Sequence, residues 1–180
     1  PFGMLLVPLV SLLLSKGQSL FGWASAPLDP VWAARHHRRS AIVYAAGPAS
    51  NLLLVLLSGM AIRVGCLLGH FTSPSQISSD YTLVAATSPE GFANAVAGPL
   101  GILFSLNLLL FVFNLIPVPP LDGHGIVPLF LSESAADTYR ETMANFSFIG
   151  LIVAWRVGSF VYEPAFDLAL RLLYPDVTYS

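Results

Sequence analysis

The sequence predicts an all-α fold: a polytopic membrane protein with three to four transmembrane helices, a short N-terminal membrane segment and a C-terminal amphipathic helix. Composition is the first reason. Of the 180 residues 55% are hydrophobic and only 10% charged, against roughly 25% charged in an ordinary soluble domain, and a water-facing surface cannot be built from so little charge. Long uncharged runs are the second. Ser40 to Ile62 and Gly91 to Leu121 contain no Asp, Glu, Lys or Arg, and a weaker run goes from Thr142 to Trp155 and past Arg156 to Tyr162. Each can hold the ~20 residues that a spanning helix needs.

The run Pro1 to Ser15 is apolar but short, and Pro8 interrupts it. Two readings stay open: a re-entrant segment, or the tail of a helix that starts upstream. The chain opens on Pro-Phe-Gly without a basic leader and cleavage site, so a fragment or a processed product is expected. Cys66 is the only cysteine, which excludes an intrachain disulfide and a thiolate metal cluster.

Charge asymmetry orients the spans. Lys16, Arg35, Arg38 and Arg39 lie in the loop from Lys16 to Arg39, whereas the loop from Arg63 to Ala93 has Arg63 alone. The positive-inside rule puts the first loop in the cytoplasm. The span from Ser40 then runs outward, Phe71 to Pro89 lies outside, and the next span returns, leaving Leu115 to Gly123, and with it Asp122, toward the cytoplasm. The same topology accounts for the basic residues, so no nucleic-acid partner is expected.

Ser132 to Thr142 reads as a short polar helix with Ser134 as N-cap and Asp137 three residues on. The following span, Ala144 to Tyr162, is expected to place Trp155 and Tyr162 near an interface and to end at Pro164. Phe166, Ala169, Leu170 and Leu173 then recur at helical spacing, as in a helix lying along the membrane surface. The expected division is a membrane-embedded domain over 1–165 and an interfacial helix and tail over 166–180.

The segment richest in chemistry is Asn114-Leu-Ile-Pro-Val-Pro-Pro-Leu-Asp122-Gly123. Three prolines within four positions remove backbone donors and must unwind the helix. Unwound backbone at membrane depth has to be buried in protein or face a water-filled cavity, and an ionisable group there is a functional candidate. Asp122 is the first such candidate; the alternative is an ordinary Asp-Gly turn at the helix end. Asn114 and, seven residues earlier, Asn107 share a helical face, where interhelical hydrogen bonding is the plain explanation. Gly47-Pro-Ala-Ser-Asn51 permits close helix approach; it serves packing alone, or also brings its helix against the one bearing Asn114 and holds the carboxylate. Arg156 is read as snorkelling or paired.

Three blocks in order, Phe21-Gly-Trp-Ala24 followed by Pro27-Leu-Asp-Pro30, Gly47-Pro-Ala-Ser-Asn51, and Asn114 through Gly123, resemble the site-2 protease family of intramembrane zinc metalloproteases. The resemblance covers nearly the whole chain to about Pro164. It implies a single membrane-embedded zinc held by two histidines of a His-Glu-x-x-His helix and by the aspartate corresponding to Asp122. It also implies that the glutamate of that helix activates a water, that Asn114 binds substrate or stabilises the oxyanion, and that Phe21 to Pro30 forms a cytoplasmic-side loop near the site.

The chain itself has no His-Glu-x-x-His; its histidines are His36, His37, His70 and His124. Adjacent His36 and His37 cannot imitate ligands one helical turn apart and read as a basic helix flank. His124 reads as a loop histidine facing water. Because relatives carry the metal-binding helix just before a Pro-Phe-Gly-like segment, the resemblance implies a chain cut immediately upstream of Pro1.

The expectation is therefore part of a zinc metalloendopeptidase that hydrolyses peptide bonds of transmembrane protein substrates within the lipid bilayer, with Asn114 catalytic, Asp122 a metal ligand, and this chain inactive alone. Two rivals are weighed against it: a catalytically dead relative that binds membrane helices, and a small transporter component whose ion path is lined by Asp122.

Overall fold

The computed structural model describes residues 10, 13–14, 28–74, 83–144 and 147–177. The expectations placed on the N-terminal apolar run, on Phe21 to Pro27 and on the side chain of Trp155 fall outside the described residues.

The chain divides into two units, Pro1–Arg35 and His36–Ser180. In the first, helix α1 (Pro30–Arg35) begins with proline at its first position, where the missing N–H costs nothing. The Asp29 carboxylate caps it by accepting the Val31 N–H at 2.9 Å.

The second unit is built on two long helices, α2 (His37–Leu67) and α3 (Phe92–Asn114). At 1.5 Å per residue they are about 46 and 34 Å long, enough to cross a hydrocarbon core of ~30 Å. Among the described residues these are the two helices long and apolar enough to span a membrane. Both are mostly exposed, and their exposed faces are apolar: Leu56 is 58%, Met60 63% and Ile102 51% exposed. The core helix of a soluble protein would bury such residues; exposed on this scale they call for a lipid solvent.

Where α2 and α3 meet, Gly59 of α2 leaves room for the Phe104 ring of α3, and Ser58, Gly101 and Ser105 are buried as well. Ser58 and Ser105 return their hydroxyls to backbone carbonyls one turn back, Leu54 and Gly101, so neither leaves a bare polar group at the contact. Asn107, expected to bond across helices, instead donates from Nδ2 to the Leu103 carbonyl of its own helix at 2.7 Å.

Beyond α2 the chain turns at Gly69 (φ 75°) and forms a small antiparallel sheet, in which β1 (Phe71–Thr72) pairs Phe71 with Ala86 and Thr72 with Ala85 of β2 (Ala85–Ala86). The all-α expectation did not include this sheet. Leu83 and Val84, just before β2, are buried in the core.

After α3 come a short helix α4 (Gly123–Ile126), a 3-10 turn (Val127–Phe130), the polar helix α5 (Glu133–Ala144) and the long helix α6 (Ser147–Leu173). Helix α5 starts before Ser134, so that residue is inside the helix and not its cap; the Thr138 hydroxyl donates to its carbonyl, and Asp137 pairs with Arg140 at 3.3 Å.

The largest departure from expectation is α6, which does not stop at Pro164 but carries it in its interior. A proline costs a helix one backbone bond, and the packing beyond it supplies the compensation. Leu170, Leu173 and Tyr174 are buried in the core, Tyr174 donates its hydroxyl to the Leu83 carbonyl at 2.7 Å, and Arg63 of α2 donates to the Leu173 carbonyl at 2.9 Å. The inner face of the terminal segment is thus bound to protein, while Leu168 and Leu172 stay exposed. Arg156 is exposed and has no ion pair among the described residues.

Candidate functional site

Helix α3 ends at Asn114, three residues before the first proline of the run. From there the backbone tightens, with Ile116 N–H bonding the Phe113 carbonyl at 3.0 Å and Val118 N–H the Ile116 carbonyl at 2.8 Å. A cis bond joins Pro119 to Pro120. The chain then doubles back until Gly123 lies on the Leu115 and Ile116 carbonyls, where any Cβ would collide. Only glycine fits this return, which brings Asp122 back to the end of the helix that carries Asn114.

Asp122 is half-buried, and its carboxylate lies against α2: a Cβ on Gly47 would meet Asp122 Oδ2. The next contact along the turn is equally close, since a Cβ on Gly125 would run into the Tyr44 ring. Tyr44 and Gly47 are three residues apart and share a face of α2. Pro48, next to Gly47, has no N–H to give the Tyr44 carbonyl, so α2 lacks one helical bond where the carboxylate approaches.

His124 corrects the expectation of a loop histidine facing water. It is half-buried in α4, bonds through Nδ1 to the Leu121 carbonyl, and sets its ring edge-on to Tyr44 with centroids 5.2 Å apart. Burial pushes the Asp122 carboxyl above the ordinary carboxylate value, and a positive charge on neighbouring His124 would pull it the other way.

Two further contacts hold the proline turn. Tyr139 of α5 donates its hydroxyl to the Pro117 carbonyl at 3.1 Å, and Gly150 of α6 leaves room for the Pro119 carbonyl. Arg140, next to Tyr139, also reaches Nδ1 of His37 at the start of α2. His37 therefore has a partner on α5 besides flanking the helix.

No hydrogen bond links the side chains of Asn114 and Asp122, and among the described residues the Asn114 amide has no partner. Nor do three His, Cys, Asp or Glu side chains gather anywhere among them. A catalytic zinc takes three protein ligands, so these residues do not by themselves fit the ion; Asp122 offers one carboxylate.

Sequence reasoning singled out Asp122, Asn114 and the Gly47 block but missed Tyr44, Tyr139 and the seat of His124. The i, i+3 spacing of Tyr44 and Gly47 was a usable signal. Tyr139 carried none, because its partner is a carbonyl 22 residues away.

The model of peptidase family M50 matches residues 16–156. The chain belongs to peptidase family M50, the site-2 protease family. The M50 match runs from the basic loop through the Gly47 block and the Asp122 turn into α6. A curated relative, "Putative zinc metalloprotease YwhC" of Bacillus subtilis (strain 168), is 29% identical over 167 residues, which are 91% of this chain and 64% of the relative. The chain thus spans less than two thirds of that relative's length. No solved structure matches.

Proposed function

We propose that this M50 chain is part of a multi-pass intramembrane zinc metalloprotease in which Asp122 is a metal ligand and Asn114 acts on the substrate. The observation that carries the proposal is the seat of Asp122: a carboxylate delivered by a broken membrane helix and pressed against a side-chain-free position of the neighbouring helix. The remaining zinc ligands and the general base would come from outside these 180 residues. When bound, zinc supplies a Lewis acid and an activated water.

This chain's residues contribute position and polarity. Gly47 and Gly123 fix the place of the carboxylate, and the Asn114 amide, which has no partner among the described residues, is available to hydrogen-bond an unwound peptide backbone. Substrates of this kind are transmembrane helices that unwind locally, since a helical carbonyl is already bonded. The basic flank of α2 orients the Asp122 end toward the cytoplasm.

The test uses the protein together with its His-Glu-x-x-His helix. Asp122→Ala should abolish both zinc retention, read by metal analysis, and cleavage of a transmembrane substrate; Asn114→Ala should impair cleavage with less effect on zinc. Equal zinc in wild type and Asp122→Ala would remove the assignment.

A further inference from the structure

Away from the Asp122 turn, α2, α3 and α6 enclose an open groove of about 200 Å³ whose lining is apolar except for Arg63. Val55 and Phe104 are buried in its floor, Gly59 adds only backbone there, and Leu56, Met60 and Leu172 stand on its rim, 58%, 63% and 70% exposed. The volume is below the ~300 Å³ at which compact small-molecule pockets begin, so it suits a stretch of linear chain better than a folded ligand. It opens onto the same apolar surface of α2 that lipid would solvate.

Arg63 stands one turn beyond Gly59 on that face of α2. One of its N–H groups caps α6 by donating to the Leu173 carbonyl at 2.9 Å. A guanidinium has five donors, and among the described residues no carboxylate pairs with it. It is four residues short of the end of α2 at Leu67, about 6 Å along the axis, which is near the boundary of acyl chains and headgroups for a helix that spans. A half-buried cation there, over an apolar groove, fits an anion attached to a hydrocarbon chain, and the planar guanidinium matches phosphate bidentately.

We infer that this groove is a glycerophospholipid site, holding part of one acyl chain against Phe104 and Ala169 with the lipid phosphate on Arg63. The inference rests on the membrane reading and not on the zinc assignment, so its test involves neither metal nor cleavage.

The whole chain, delipidated in a maltoside detergent, is unfolded by heat with added phosphatidylglycerol, with diacylglycerol of the same acyl chains, or with inorganic phosphate. Phosphatidylglycerol at saturation should raise the midpoint by roughly 5 °C or more, diacylglycerol by less than half of that, and phosphate not at all. Arg63→Gln should erase the difference between the two lipids, and Ala169→Phe, which fills the groove, should erase the response to both. Equal shifts with the two lipids in the wild type, a shift reproduced by phosphate, or no shift because another segment of the chain occupies the groove would each overturn the inference. If Arg63→Gln does not fold for want of the α6 cap, the wild-type lipid comparison and Ala169→Phe decide.

Discussion

The Oδ2 atom of Asp122 occupies the space that a side chain at position 47 would need. Gly47 and Asp122 are 75 positions apart, so the carboxylate is placed by a helix packing that local sequence does not encode. Gly47→Ala therefore pushes the carboxylate from its seat. In the metal-loaded protein the expected result is a 10- to 100-fold loss of zinc affinity, roughly that of removing a group that orients a ligand. Metal titration against a competing chelator checks this; an unchanged affinity would mean the contact does not position Asp122.

Burial raises the Asp122 carboxyl, so in the metal-free protein its ionised form is held at a cost. The favourable contribution is complete below the unfolded-state value of ~3.9 and is lost as pH rises through the higher folded-state value. Asp122→Asn removes this loss. Thermal unfolding in chelator from pH 4 to 7 should show the variant gaining on the wild type as pH increases. Parallel curves would show that the carboxyl is not penalised in the fold. On the proposed ligand role of Asp122, the same substitution should also cost the metal-loaded protein its zinc.

Proline illustrates how much of this was legible in the sequence. At Pro117, Pro119 and Pro120 three donors are lost within four positions and an Asp-Gly turn follows; the helix does end there, at Asn114. At Pro164 one donor is lost, and α6 continues because the residues beyond it bury Leu170 and Leu173 and bond Tyr174 to Leu83. Local composition weighs the cost of a proline but cannot see the tertiary contacts that offset it. The same limit hid the sheet at Phe71 and Ala86, the Tyr44–His124 contact and the Tyr139 bond, whereas the two apolar spans and the Asp122 block needed only local pattern.

Gly150 of α6 meets the Pro119 carbonyl and Gly158 meets the Phe113 ring. Both hold α6 close to the end of α3, but only Gly150 touches the turn that leads to Asp122. Gly158→Leu should lower stability by about 1–3 kcal/mol through overpacking, with zinc affinity preserved in protein that remains folded. Gly150→Ala should lower both, because the carbonyl it displaces is three residues from Asp122. Comparing the two variants in thermal unfolding and metal titration tests this; equal zinc affinities would leave the Gly150 contact with a packing role alone.

Tyr139 joins the polar helix α5 to the proline turn through the Pro117 carbonyl. Burial raises the phenol above its ordinary value, and the neutral hydroxyl is the form that donates the bond. Its contribution is therefore present below pH ~10 and is lost as pH rises through the raised folded-state value. Tyr139→Phe should cost about 1 kcal/mol at neutral pH, the usual net worth of such a bond. The gap should close as the wild type ionises, because a phenolate facing a carbonyl is repelled where a phenol was held. Thermal midpoints of both proteins from pH 7 to 11 give the answer: a constant gap would mean that Tyr139 stabilises through its ring alone, and no gap that the turn holds its shape without α5.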